Sequence, residues 1–158
     1  MASAQKNLSS HSRRNIFDIS KTKFGIVISE WNDDVTDSLY SGCMQTLLDK
    51  GAKRGNIITH YVPGSFELPL GAKWLATEKK IDAVICLGAV IQGETRHFDF
   101  ICSAVAQGIM NVGLEFSKPV VFGVLTTNTK KQALDRAGGK LGNKGDEAAI
   151  TAIKMLGF

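Results

Sequence analysis

The sequence predicts an α/β fold: a single-domain, doubly wound parallel sheet of four strands with helices on both faces. Three observations carry this. The chain has 158 residues, 44% of them hydrophobic and 22% charged. A chain of that size can bury roughly 70% of its unfolded surface and needs neither disulfides nor a metal to build a core. Four short apolar runs rich in β-branched residues lie along it, at 24–29, 57–62, 83–88 and 120–126, and none alternates strictly between apolar and polar. Strands buried on both faces read this way. Stretches with helical spacing separate the runs, and a repeated β-α order implies parallel strands joined by right-handed crossovers.

The elements follow in order. After the first run, Val35, Leu39, Cys43, Met44, Leu47 and Leu48 fall on one helical face, with Asp33 or Asp34 available to cap the start and Gly51 to end it. After the second, Phe66, Leu70 and Trp74 recur every fourth residue. Pro69 must lie within about the first turn of that helix. Lys79 and Lys80 are expected in its last turn, where cations suit the dipole. After the third run, Phe98, Ile101, Cys102, Val105 and Ile109 form another stripe, and Trp74, Phe98 and Phe100 are expected in the core. The fourth run is followed by two helical pieces, 130–137 and 145–156. The segment between them, 138–145, holds four glycines in eight residues and predicts a kink or loop. Ile16–Ile19 adds a candidate edge strand upstream. Residues 1–21 read as a polar extension and 22–158 as one flavodoxin-like domain, with no repeat or linker.

The formal net charge is +4. Lys6, Arg13 and Arg14 account for most of it, in a stretch without acids, so the remainder is close to +1. Such a balance suits an anionic small molecule as readily as nucleic acid. Cys43, Cys86 and Cys102 are odd in number, lack C-x-x-C spacing and sit in apolar patterns. They read as small buried hydrophobes in a reducing compartment. No run approaches the ~18 apolar residues of a membrane span, and the N-terminus lacks the apolar core of a secretory signal. A cytoplasmic protein is expected.

In open α/β sheets, ligands bind outside the carboxyl ends of the strands. Here those segments are Glu30-Trp31-Asn32-Asp33, Pro63-Gly64-Ser65-Phe66-Glu67, the run from Ala89 to His97, and Thr126-Thr127-Asn128. Gly93-Glu94-Thr95 precedes the third helix, where free N–H groups and the dipole favour an anion such as phosphate, with Arg96 or Arg136 as counter-charge. An ordinary turn capped by Thr95 is the other reading. His97 is placed either for proton transfer near neutral pH or as a surface cap. Trp31 either stacks on a planar ring or packs in a loop. His11 and His60 carry no such context. The sequence has no P-loop, no G-x-G-x-x-G after the first strand, no metal-ligand spacing and no G-x-S-x-G elbow. The residues alone support a cofactor-free site for a planar, phosphorylated or otherwise anionic substrate.

Several motifs in order resemble the 6,7-dimethyl-8-ribityllumazine synthase family over about residues 22–157. They are Trp31-Asn32, Val62 to Glu67, Leu87 to Phe98, Phe122 to Thr127, and Arg136-Ala137-Gly138 through Gly142-Asn143-Lys144-Gly145. The resemblance implies a condensation of 5-amino-6-(D-ribitylamino)pyrimidine-2,4-dione with 3,4-dihydroxy-2-butanone 4-phosphate, without a cofactor. It implies that Trp31 stacks on the pyrimidine, that Asn32, Ser65 and Glu67 hold the ribityl chain, and that Phe66, Val90 and Ile91 line the site. Glu94 and Thr95 would bind phosphate with Arg136 as counter-charge, and His97 would move protons. Phe122, Arg136 and Lys144 would come from a neighbouring subunit.

The resemblance also implies a homopentamer, with the compact Gly138–Gly145 connection resembling members that form 60-subunit shells, and riboflavin synthase as a candidate partner. No nucleic acid or membrane partner is implied. The chain departs from the family pattern at Gln92, where many relatives carry a basic residue, and at Arg96, where small residues or proline are common. The rival readings are a non-catalytic protein that holds a lumazine or flavin, an enzyme that makes riboflavin from two lumazines, and a generic flavodoxin-like binding domain.

Overall fold

The computed structural model describes residues 18–158. Four strands form one parallel sheet: β1 (Phe24–Ser29), β2 (Ile57–Val62), β3 (Ala83–Ile91) and β4 (Val120–Thr127), in the order β2-β1-β3-β4. β1 and β3 are central. Every residue of β1 is buried, as are Ala83–Ala89 of β3, which is why both read as unbroken apolar runs. β2 and β4 are edges and keep some exposed positions. The edge strand expected at Ile16–Ile19 begins outside the described residues, and Asp18 and Ile19 are not in a strand.

The helices are α1 (Asp33–Asp49), α2 (Leu68–Thr77), α3 (His97–Phe116), α4 (Lys130–Leu134) and α5 (Lys144–Leu156). α1 and α5 cover one face of the sheet, where Leu39, Cys43 and Leu47 meet Ile26, Ile85 and Ile153. α2 and α3 cover the other, where Leu68, Leu75, Val105 and Ile109 meet Val27, Val84 and Cys86.

α1 buries the predicted stripe, with Leu48 half-buried. It ends as predicted at Gly51, whose φ of 101° allows Gly51 N–H to reach the Leu48 carbonyl and Ala52 N–H to reach that of Leu47. Its start differs from the expectation. Asn32, not an aspartate, occupies the cap position, and Asp33 and Asp34 lie inside the first turn.

α2 departs further. Its inward face is Leu68, Gly71, Ala72, Leu75 and Ala76, while Phe66, Leu70 and Trp74 are exposed. Small residues let the helix lie close to the sheet: a Cβ on Gly71 would come within 2.8 Å of Val27. Lys79 and Lys80 lie beyond the helix end at Thr77. The cation at that end is Lys118, whose Nζ donates to the Ala76 and Glu78 carbonyls at 2.8 and 2.9 Å. Phe100 is exposed and Phe98 half-buried, so this pair and Trp74 are not the core residues expected.

The glycine-rich segment after α4 is a tight antiparallel hairpin of β5 (Ala137–Gly139) and β6 (Gly142–Asn143). It delivers the chain to α5 through a two-sided cap. Asn143 Oδ1 accepts from Gly145 N–H at 2.8 Å, and its Nδ2 donates to the Ser38 carbonyl at 2.8 Å. Gly145 is required there, because a Cβ would overlap the Leu39 carbonyl of α1.

Candidate functional site

The strand order reverses between β1 and β3, so the crevice at their carboxyl ends is the switch point where such sheets bind ligands. Three connections are tied together there. Trp31 N–H donates to the Pro63 carbonyl at 3.2 Å, joining the exits of β1 and β2. Asn32 adopts a left-handed conformation, φ 63° and ψ 48°, which Asn tolerates better than most residues. Its Nδ2 donates to the Ala89 carbonyl at 2.9 Å, joining the exits of β1 and β3. Ser65 is buried, with its Oγ 3.5 Å from that of Ser29. Gly88 lies beneath them, and a Cβ on it would come within 2.9 Å of Ser65 Oγ.

These ties frame a cleft of about 630 Å³ lined by Trp31, Asn32, Ser65, Phe66, Glu67, Val90, Ile91 and His97. Eight of the sequence-predicted residues thus converge on one cavity. Gly64 and Ala89, from the strand-exit segments, also line it, as does Ile101, which was not anticipated as a site residue. Ile101 was legible in retrospect, since a residue four positions after His97 shares its face of α3. Trp31 is 73% exposed and Phe66 57% exposed. Both aromatic side chains are therefore available to a ligand and are not consumed by the core.

Glu94 and Thr95 do not line the cleft; they lie in the loop between β3 and the start of α3. Thr95 Oγ1 accepts from His97 N–H at 3.4 Å, and Gln92 N–H anchors the start of the loop to the Thr127 carbonyl at 2.8 Å. Arg96 points toward Asp99, with Nε 3.8 Å from its carboxylate. Gln92 and Arg96 are both exposed. His60 is exposed on β2 and does not line the cleft.

Phe122, Arg136 and Lys144 are not in this cleft. They line a separate groove of about 1040 Å³ between α3 and α5 along β4, together with Met110, Leu114 and Glu147. The hairpin brings two of them together, because Lys144 N–H donates to the Arg136 carbonyl at 2.8 Å. Arg136 Nη1 donates to the Gln132 carbonyl at 3.0 Å. Among the described residues lining the cleft there is no Lys or Arg, whereas Lys118, Arg136 and Lys144 line the groove.

Burial pushes the Cys43 and Cys86 thiols up to about 12, the nearby Asp146 adding to the effect on Cys43. Burial also raises Cys102, helped by Asp99. Asp146 is raised by burial against a hydrogen bond from Thr46. Among the described residues no group of three or more His, Cys, Asp or Glu is arranged to hold a metal ion, and no helix is long and apolar enough to cross a membrane.

The profile of the family described as 6,7-dimethyl-8-ribityllumazine synthase matches residues 21–158. Proteins named 6,7-dimethyl-8-ribityllumazine synthase are similar over nearly the whole chain. That of Cytophaga hutchinsonii is 64% identical, covering 99% of this chain and 98% of its own length. That of Parabacteroides distasonis is 52% identical, covering 100% and 99%. That of Flavobacterium psychrophilum is 52% identical, covering 98% and 82%. The chain belongs to the 6,7-dimethyl-8-ribityllumazine synthase family. Its chemistry is therefore that of a transferase that forms the dimethylribityllumazine of riboflavin biosynthesis from small-molecule substrates. The segments on which the resemblance rests reach both surfaces: Trp31-Asn32, Ser65 to Glu67, Val90-Ile91 and His97 line the cleft, and Phe122, Arg136 and Lys144 line the groove.

Proposed function

We propose that the cleft at the carboxyl ends of β1 and β3 is where the ribitylaminopyrimidinedione and the butanone phosphate condense, and that the groove of an adjoining copy completes it. The observation that carries the proposal is the convergence of an exposed indole, a buried hydroxyl, an amide and an imidazole on one cavity. The Trp31 indole stacks on the pyrimidine. Asn32, Ser65 and Glu67 hydrogen-bond the ribityl chain, and Phe66, Val90 and Ile91 wall the ring. The Glu94–Thr95 loop, beside the start of α3, takes the phosphate.

A phosphorylated substrate calls for cationic side chains, and the cleft of one chain supplies none. Arg136 and Lys144 of a second copy meet that need, with Phe122 closing the wall. On this reading the protein works in the cytoplasm as a pentamer or a larger shell, with riboflavin synthase, which consumes its product, as candidate partner.

The chemistry follows from these groups. The pyrimidine amine attacks the ketone, loses water and forms an imine. Loss of a proton from the adjoining carbon lets phosphate leave, and the second amine then closes the ring with loss of another water. His97, at the edge of the cavity, relays these protons. General acid–base catalysis of this kind contributes ~10²–10⁴ in rate, and holding two reactants together supplies much of the rest. The test is to mix purified protein with both substrates and follow lumazine absorbance and fluorescence. Product that requires both substrates supports the proposal. Tight flavin binding with no product would overturn it.

A further inference from the structure

We infer that Glu147 is a positioning residue, whose carboxylate holds the Lys144 ammonium in the orientation in which it meets the reactants. This rests on the proposal that Lys144 belongs to the composite site. Lys144 is the first residue of α5, directly after the Asn143 cap. A cation there sits against the helix dipole, so something else must stabilise it. Glu147 lies one turn on, and its Oε2 accepts a hydrogen bond from Lys144 Nζ. The pair is largely withdrawn from water, with side-chain exposures of 24% for Lys144 and 11% for Glu147.

The helix itself does not need this carboxylate. Asn143 already receives the Gly145 N–H, and Asp146 supplies an acid in the first turn. Thr151 bonds the main-chain carbonyl of Glu147, leaving the side chain to Lys144. A buried ion pair is commonly no better for stability than a well-packed apolar residue, so the carboxylate is better explained by what it does to the lysine. Both side chains face the groove that holds Phe122 and Arg136. The main chain of Lys144 is fixed to the Arg136 carbonyl, and Glu147 fixes its tip. An ammonium has three donors; one is committed to Glu147 and two remain for a ligand. Without Glu147, the flexible four-carbon stem is released and the ammonium no longer has a fixed place.

The test is a double-mutant cycle on the full chain in its native assembly, with Glu147→Gln, Lys144→Ala and the pair, read as kcat and KM for each substrate. E147Q is expected to lower kcat/KM about tenfold, with assembled mass unchanged. E147D should recover part of the loss. In the K144A background E147Q should cost less than about twofold, because its partner is already gone. Additive effects, or normal kinetics in E147Q alongside an impaired K144A, would overturn the inference alone. Normal kinetics in K144A would overturn the placement of Lys144 in the site, and the inference with it. If E147Q does not assemble, the cycle is run with E147D, and additivity again overturns the inference.

Discussion

Replacing Trp31 with alanine separates what this indole does for the fold from what it does for the ligand. Trp31 is 73% exposed, so about a quarter of an indole that would otherwise bury ~150–250 Å² is covered. At ~25 cal/mol per Å² the covered part contributes roughly 1–1.5 kcal/mol at most. Melting should therefore fall by only about 2–6 °C. Stacking on a heterocycle is a separate term of about 1–3 kcal/mol, which corresponds to roughly 5- to 150-fold in affinity. Steady-state assays should show KM for the pyrimidinedione raised within that range in W31A, with a much smaller change for the butanone phosphate. Trp31→Phe should retain most of the affinity. A pyrimidinedione KM within about twofold of wild type in a folded W31A protein would refute the stacking role.

Five further outcomes follow. His97→Ala should lower kcat by about 100-fold or more without abolishing turnover; a wild-type rate, or complete loss with intact substrate binding, would contradict the proton-relay role. Arg136→Ala should raise KM for the phosphorylated substrate by about tenfold and leave that for the pyrimidinedione nearly unchanged. Gly145→Ala places a methyl against the Leu39 carbonyl. Since backbone cannot swing aside as a side chain can, destabilisation should reach or exceed the ~1–3 kcal/mol typical of overpacking, seen as a lower melting temperature. Cys43 and Cys86 carry thiols raised by burial from the ordinary 9.0 to about 12. The folded state holds these protons where the unfolded state has lost them, so stability should fall as pH rises from about 9 toward 12. Native protein should also resist thiol labelling at both positions, with Cys102 the more accessible.

The central strands were legible because burial on both faces leaves an unmistakable apolar run, and β1 and β3 are those strands. The end of α1 was legible because Gly51 suits a left-handed terminator. α2 was misread for a physical reason. Periodicity finds an apolar stripe but does not say which way it faces, and here the large residues Leu70 and Trp74 face out while Gly71 and Ala72 lie against the sheet. The stabilising cation at its end comes from Lys118, 40 residues away from Glu78, which no local window could reveal.

The cleft was readable from the strand-exit rule, since Trp31, Ser65 and His97 each follow a strand. The separation of the cleft from the groove was not readable from charge or spacing. Arg136 and Lys144 are close in sequence to each other, and only the packing of the hairpin between α4 and α5 shows that they face a different surface from His97. Glu147 escaped notice because an acid in the first turns of a helix is ordinary, and its burial beside Lys144 emerges only from the three-dimensional arrangement.

The composite site is tested most directly by subunit complementation. One variant carries Trp31→Ala and His97→Ala, damaging the cleft, and the other carries Arg136→Ala and Lys144→Ala, damaging the groove. Each should be nearly inactive alone. Unfolded together and co-assembled in equal amounts, about a quarter of the interfaces in a cyclic assembly should pair an intact cleft with an intact groove, and lumazine formation should return to a corresponding fraction of the wild-type rate. A co-assembled mixture no more active than its parents would contradict the account.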